Sequence, residues 1–79
     1  TKSMTGHLLG GAGGIESVFT VLAIRDQVVP PTINVEHQDP ACPVDCCPNA
    51  ARKMPVRAAM KNSFGFGGTN ATIIFKQLA

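Results

Sequence analysis

Glycine placement constrains this chain more than any other feature. Its eight glycines gather almost entirely beside two short segments. One is Lys2-Ser3-Met4-Thr5-Gly6-His7, running into Gly10-Gly11-Ala12-Gly13-Gly14; the other is Asn62-Ser63-Phe64-Gly65-Phe66-Gly67-Gly68-Thr69-Asn70. Glycine permits positive φ and lets backbone approach a neighbour closely. Each cluster is therefore expected where the chain turns or meets a ligand, with the regular elements lying around it.

Four units follow. Residues 1–9 read as an extended polar lead carrying Lys2 and His7, more a loop than a helix. From about residue 13 to 27, Ile15, Val18, Phe19 and Leu22 fall at helical spacing, and Val21, Ala23 and Ile24 fill most of the remaining circumference. Such a helix is expected to be buried on more than one side. It must stop near Val28 and Val29, because Pro30 and Pro31 cannot continue it. Residues 30 to about 55 are rich in proline and polar side chains without a sustained period, which predicts a long irregular connector, extended at most over residues 32–35. It is expected to be the most mobile stretch.

Residues 56–64 and 69–76 read as two strands. The run Ala71-Thr72-Ile73-Ile74-Phe75 lacks alternation, which suits a strand covered on both faces. Gly65-Phe66-Gly67-Gly68 is short enough for a hairpin, making the pair antiparallel. With no internal repeat, the layout is α/β and makes sense as part of a layered sheet whose other strands lie elsewhere. The 79 residues are thus expected to be one unit, 1–79, the carboxyl-terminal piece of a larger protein.

Composition excludes other classes. With 44% hydrophobic and 15% charged residues the chain is too apolar for a disordered tail. A chain this short buries only roughly 60% of its unfolded surface, so it should be fragile alone. The net charge of +2 is scattered, and Trp and Tyr are absent, so nucleic acid is not the expected partner. The longest apolar stretch, Val18 to Ile24, is broken by Thr20 and falls short of the ~20 residues of a membrane span. No signal peptide is read ahead of it. Cys42, Cys46 and Cys47 are odd in number and cannot form a closed disulfide framework within one chain. A zinc site needs about four ligands, and only His37 is near. The expected state is reduced thiols in a surface loop of a cytosolic protein, without metal.

Lys2 and His7, on a glycine-flanked loop, can point into one pocket, whereas His37, among Glu36, Gln38 and Asp39, reads as a solvated surface group. Exposed amides at the helix start can attract an anion. Those in Gly65-Phe66-Gly67-Gly68 could donate to a developing oxyanion. Neither glycine run fits a dinucleotide fingerprint, since Gly11-Ala12-Gly13 is followed by Glu16 and Gly65-Phe66-Gly67 by Asn70, and the P-loop lysine is missing.

Lys-Ser-Met-Thr-Gly-His-Leu-Leu-Gly at residues 2–10 and Asn-Ser-Phe-Gly-Phe-Gly-Gly-Thr-Asn at residues 62–70 resemble the last two active-site motifs of the elongating β-ketoacyl-acyl carrier protein synthases, nearest the bacterial synthase II group. The resemblance runs through nearly the whole chain and is weakest in the cysteine-bearing connector. It implies the carboxyl-terminal part of a thiolase-like layered fold. The implied activity is acyl transfer by decarboxylating Claisen condensation of acyl and malonyl thioesters in fatty-acid elongation. Degradative thiolases differ in carrying a Cys-x-Gly motif where this chain has Gly-Phe-Gly-Gly. Polyketide ketosynthases share Lys-Ser and Gly-His, and a polyketide-type fragment or a self-associating binding module are the alternatives.

The resemblance also implies roles. His7 corresponds to one of two histidines that hydrogen-bond the malonyl thioester oxygen. Lys2 corresponds to a lysine pairing with a glutamate that fits Glu16. Phe66 corresponds to a gate over the acyl pocket whose amide joins the oxyanion hole, with Gly65, Gly67 and Gly68 letting the loop swing. Asn70 corresponds to a supporting residue. The nucleophilic cysteine and the other histidine lie upstream in the family, so residues 1–79 alone are expected to be inactive. No resident cofactor is implied, because phosphopantetheine arrives on the carrier protein. The implied partners are acyl and malonyl carrier proteins and the rest of the same enzyme, in a cytoplasmic homodimer. Gly11, where the family usually has alanine, would weaken a helix start by up to about 1 kcal/mol.

Overall fold

The chain's one long helix ends four residues before Pro30, and the way it ends organises the molecule. In the computed structural model, which describes residues 1–78, helix α2 spans Ala12–Asp26; Ala79, the last residue of the expected unit, lies outside the described residues. Gln27 takes the left-handed conformation (φ 56°, ψ 42°) and its N–H donates to the Ala23 carbonyl. A non-glycine residue there is held by its own side chain. Gln27 Nε2 donates to the carbonyls of Ile24 and Val56, and Oε1 accepts from the Val56 N–H at 2.8 Å. This amide fastens the end of α2 to the segment that leads into the carboxyl-terminal hairpin.

Beyond Gln27 the chain extends into strand β1 (Val28–Val29), which pairs antiparallel with β2 (Arg52–Lys53). Pairing in the connector was not expected, since two exposed residues carry no period to read. The expected extended piece at residues 32–35 reduces to one parallel bridge, Thr32 to Pro48. The connector is tied to itself by Thr32, whose N–H and Oγ1 donate to the Cys47 and Cys46 carbonyls, and by the Asn49 amide, which brackets both backbone groups of Val35. β3 (Ala58–Phe64) and β4 (Asn70–Lys76) form the expected hairpin, in register from Ala58 opposite Lys76 to Phe64 opposite Asn70.

Two burial expectations are not met within the described residues alone. Val18 (55% exposed) and Val21 on α2 are open, as are Ile73 and Ile74 (64%) on β4. The reason is geometric: α2 packs on β3 and the β1 end, and nothing else among the described residues covers the far side of the helix or the outer edge of β4. The buried set is thin, namely Ala12, Ile24, Cys47 and Val56, together with Lys61. Gly11 is the N-cap of α2 rather than an interior residue, and glycine there is preferred over alanine, so the expected helix penalty does not apply.

Candidate active site

The first motif is not an extended loop. Lys2–Thr5 forms one helical turn, α1. Gly6, at φ 74°, ends it, with its N–H donating to the Lys2 carbonyl at 2.8 Å. The next turn brings the Leu9 N–H to His7 Nδ1 at 2.9 Å, with Leu9 at φ 52°. This bond assigns the tautomer: Nδ1 accepts, so a neutral imidazole carries its proton on Nε2, free to donate outward.

The helical turn also delivers Lys2 to Glu16. Lys2 Nζ donates to Glu16 Oε2, as the family resemblance implied, and Glu16 is only 14% exposed. A group the sequence reading missed stands on the other side. Lys61, in β3, is 7% exposed; its Nζ lies 3.7 Å from Glu16 Oε1 and donates to Ser63 Oγ. The signal was present, since Ala59, Lys61 and Ser63 alternate as the sheltered side of β3 and a lysine on a buried strand face needs a partner. The hydrogen bond from Lys2, then the charges of Lys2, Lys61 and His7, hold the Glu16 carboxyl below the usual carboxylate range.

The second motif folds as a hairpin whose turn is a 3-10 segment, Phe66–Gly68. Gly65 is pressed against the far side of the turn, its N–H on the Thr69 carbonyl at 2.6 Å. A Cβ at Gly65 would sit 2.9 Å from that same oxygen. Gly67 and Gly68 occupy positive φ, 80° and 83°. Phe66 opens the turn with its ring fully exposed, and as the first residue its N–H has no acceptor within the turn.

These pieces converge on two adjoining cavities of about 500 Å³ each. One is lined by Lys2, His7, Glu16, Asn62, Ser63 and Phe64. The other is lined by His7, Leu9, Gly10, Phe64, Gly65 and Phe66. His7 and Phe64 border both, so the lysine–carboxylate pair, the imidazole and the phenylalanine turn share one surface. α2 has no side-chain N-cap, and Ala12 and Gly13 of its first turn line the first cavity, adding a positive helix end to it. Gly67, Gly68 and Asn70 line neither cavity. Asn70 is the first rung of the hairpin, opposite Phe64.

The cysteines lie apart. Cys42 is exposed and Cys46 half-buried, but Cys47 is buried with its Sγ 3.3 Å from the Ala50 carbonyl, so one of the three expected surface thiols is internal. Among the described residues, no three His, Cys, Asp or Glu side chains come together to hold a metal ion. Nearby, Asp45 accepts from the Arg52 guanidinium and the Cys47 N–H, which hold its carboxyl down at about 2. A depressed carboxylate contributes above its unfolded value and loses that contribution as pH falls toward 2. In R52A, the Asp45 carboxyl resonance is expected to titrate toward about 3.9, held short of it by the Cys47 amide. An unmoved midpoint would show that the pair does not form in solution.

Comparison with known proteins follows the same lines. Residues 1–36 match the family described as β-ketoacyl synthase, C-terminal domain. Over 78 residues, 99% of the chain, it is 56% identical to 3-oxoacyl-[acyl-carrier-protein] synthase 2 of Coxiella burnetii, covering 19% of that protein. Over 77 residues, 98% of the chain, it is 60% identical to the protein of the same name from Synechocystis, covering 18% of it. The chain thus spans about a fifth of the length of the curated relatives it matches. Among solved structures it is similar to the ishigamide ketosynthase/chain length factor, with a TM-score of 0.85 and 38% identity over 89% of this chain and 17% of that one. It is also similar to a type II polyketide acyl-carrier protein in complex with its ketosynthase bound to the hexaketide, with a TM-score of 0.82 and 40% identity over 86% of this chain and 17% of that one.

Proposed function

We propose that this chain belongs to the β-ketoacyl synthase family and that the protein carrying it is an elongating 3-oxoacyl-acyl carrier protein synthase, in which these residues supply the decarboxylation and gate side of the active site. The observation that carries the proposal is His7, whose Nδ1 is occupied by the Leu9 amide and which borders the cavities of both Lys2 and Phe66.

In the reaction, the bond between the malonyl carboxylate and the α-carbon breaks and carbon dioxide leaves. The electron pair moves into the thioester as an enolate, and the charge gathers on its oxygen. A donor already aimed at that oxygen needs no reorganisation as the charge develops, which is where such a group acts most strongly. His7 Nε2–H is that donor. The enolate carbon then attacks the acyl thioester on a cysteine supplied by another part of the enzyme, and the Phe66 N–H faces the second oxyanion. The new carbon–carbon bond forms as that oxyanion builds, and when the carbonyl re-forms the carbon–sulfur bond breaks and the cysteine leaves as thiolate.

Lys2 and Glu16 hold the floor electrostatically, and the glycines beside Phe66 let its ring open and close the acyl channel. Asn70 supports the hairpin base. Substrates arrive on carrier proteins with their phosphopantetheine, so no resident cofactor is needed. Among the described residues, no helix is long and apolar enough to cross a membrane. A cytoplasmic homodimer completes the reading, and the open faces of α2 and β4 are where the rest of the enzyme would pack.

A polyketide-type ketosynthase is the second reading, supported by the likeness to the type II polyketide ketosynthase complex. Identities of 56% and 60% to synthase 2, against 38% and 40% to the two solved ketosynthases, support placing elongation first. The deciding measurement gives the full-length enzyme malonyl-carrier protein with either a saturated acyl or an unreduced β-ketoacyl primer. One extension of the saturated primer is expected. Repeated extension of the unreduced primer would favour the second reading, and no product from either would end both. Residues 1–79 alone are expected to form no β-ketoacyl product.

A further inference from the structure

We propose that Lys61 is a positioning residue of this site, gripping the second oxygen of Glu16 opposite Lys2 and linking that carboxylate to the strand that feeds the Phe66 turn. The inference rests on the condensing-enzyme reading above and assigns a residue that neither active-site motif contains.

An ammonium group buried to 7% exposure is unfavourable unless paired and hydrogen-bonded. Lys61 Nζ is both, 3.7 Å from Glu16 Oε1 and donating to Ser63 Oγ. Nζ stands over Gly13 of α2, 3.9 Å from where a Cβ would lie, so even an alanine there would leave it room. The titratable groups facing Glu16 are Lys2 on α1, His7 on the following turn and Lys61 on β3. Opposite Lys61, β4 presents Ile73, which carries no charge.

Two lysines on one carboxylate do different work. Lys2 is half exposed, with a side chain 51% accessible, and can leave the pair when substrate enters. Lys61 cannot leave without abandoning its shelter. Glu16 therefore keeps one fixed partner while the other moves, and its orientation under the cavity is preserved. Because Ser63 also lines the Lys2 and His7 cavity, a shift of Glu16 would be felt at the root of the gate hairpin.

The test uses the full-length synthase with K61M, K61R, E16Q and E16Q/K61M. Removing Lys61 takes away one of the charges that lower Glu16, so protonation of Glu16 begins at higher pH. In K61M, kcat is expected to fall about tenfold with KM for malonyl-carrier protein held within about twofold. The acid limb of kcat/KM should move to higher pH, as expected for a carboxylate losing a nearby cation. K61R should restore both. A K61M enzyme with the wild-type limb, or one whose lost activity K61R does not recover, overturns the proposal. A second arm does not depend on turnover. The Tm difference between K61M and wild type should change as pH falls below the ordinary 4.5 of a glutamate, and the same difference measured in the E16Q background should be flat. A pH-independent difference in both backgrounds also overturns it. Inactivity of the wild-type enzyme would sink the condensing-enzyme reading, while the Tm arm would still decide the Lys61 contact.

Discussion

H7A in the full-length synthase is expected to lower the rate of malonyl decarboxylation by about 10²–10³-fold, the usual effect of removing one preorganised donor to a developing oxyanion. The first half-reaction, transfer of the acyl group onto the enzyme's cysteine, should stay within a few-fold of wild type, because in the proposed mechanism His7 acts only on the malonyl thioester. The two steps separate experimentally. Acyl-enzyme formation is read as a burst with labelled acyl-carrier protein, and decarboxylation as carbon dioxide released from malonyl-carrier protein without primer. H7Q is expected to fall between the two enzymes, since its amide can point an N–H outward but lacks the Leu9 clamp on Nδ1 that orients the ring. Equal loss in both steps would place His7 in the fold rather than in the chemistry. Normal decarboxylation in H7A would remove it from the site altogether.

The same residues show how far a sequence can be read. α2 and the β3–β4 hairpin were legible because each has a local cause: helical apolar spacing stopped by Pro30 and Pro31 for one, two apolar runs around a glycine turn for the other. Their bounds moved by only a residue or two. β2 was not legible, because Arg52 and Lys53 are fixed by pairing with Val28 and Val29, a contact across the whole connector. α1 was hidden by the glycine beside it, since Gly6 reads as a loop signal but acts as the stop of a helical turn. At the candidate site, Lys2, His7 and Phe66 were singled out through their motifs and Glu16 as the partner the resemblance implied for Lys2, and the structure brings Lys2 onto Glu16 and both Lys2 and Phe66 onto cavities that His7 borders. Lys61 lies one residue outside the motif that begins at Asn62, so no motif points to it. The pattern of β3 would have exposed it, because a lysine between Ala59 and Ser63 on an inward face has to answer to something. The unbroken run at residues 71–75 describes what the strand can bury, and among the described residues only one side of it is covered.

G65A separates a glycine needed for space from one needed for conformation. Gly65 has an ordinary extended backbone, φ −102° and ψ 162°, so alanine meets no torsional objection there. The obstacle is the Thr69 carbonyl oxygen, 2.9 Å from the new Cβ and already hydrogen-bonded to the Gly65 N–H. Both atoms belong to backbone, so neither can swing aside as a side chain would, and the turn must open. Overpacking of this kind destabilises by about 1–3 kcal/mol. The larger effect is positional: Phe66, the proposed oxyanion donor, is the next residue, and a displacement of about 1 Å at such a group can lower a rate about 10²-fold. G65A is therefore expected to lose condensation by about that factor, at a temperature where it remains folded. G68A is the contrast. Its Cβ meets nothing within 4 Å, and its only objection is the positive φ of 83°, a strain of roughly 1–2 kcal/mol. It should lower Tm comparably yet keep kcat within a few-fold, because the Phe66 amide stays where it was. If the two variants lost activity equally for equal loss of Tm, the turn would matter only as a piece of fold, and the Phe66 N–H would have no part in holding the oxyanion.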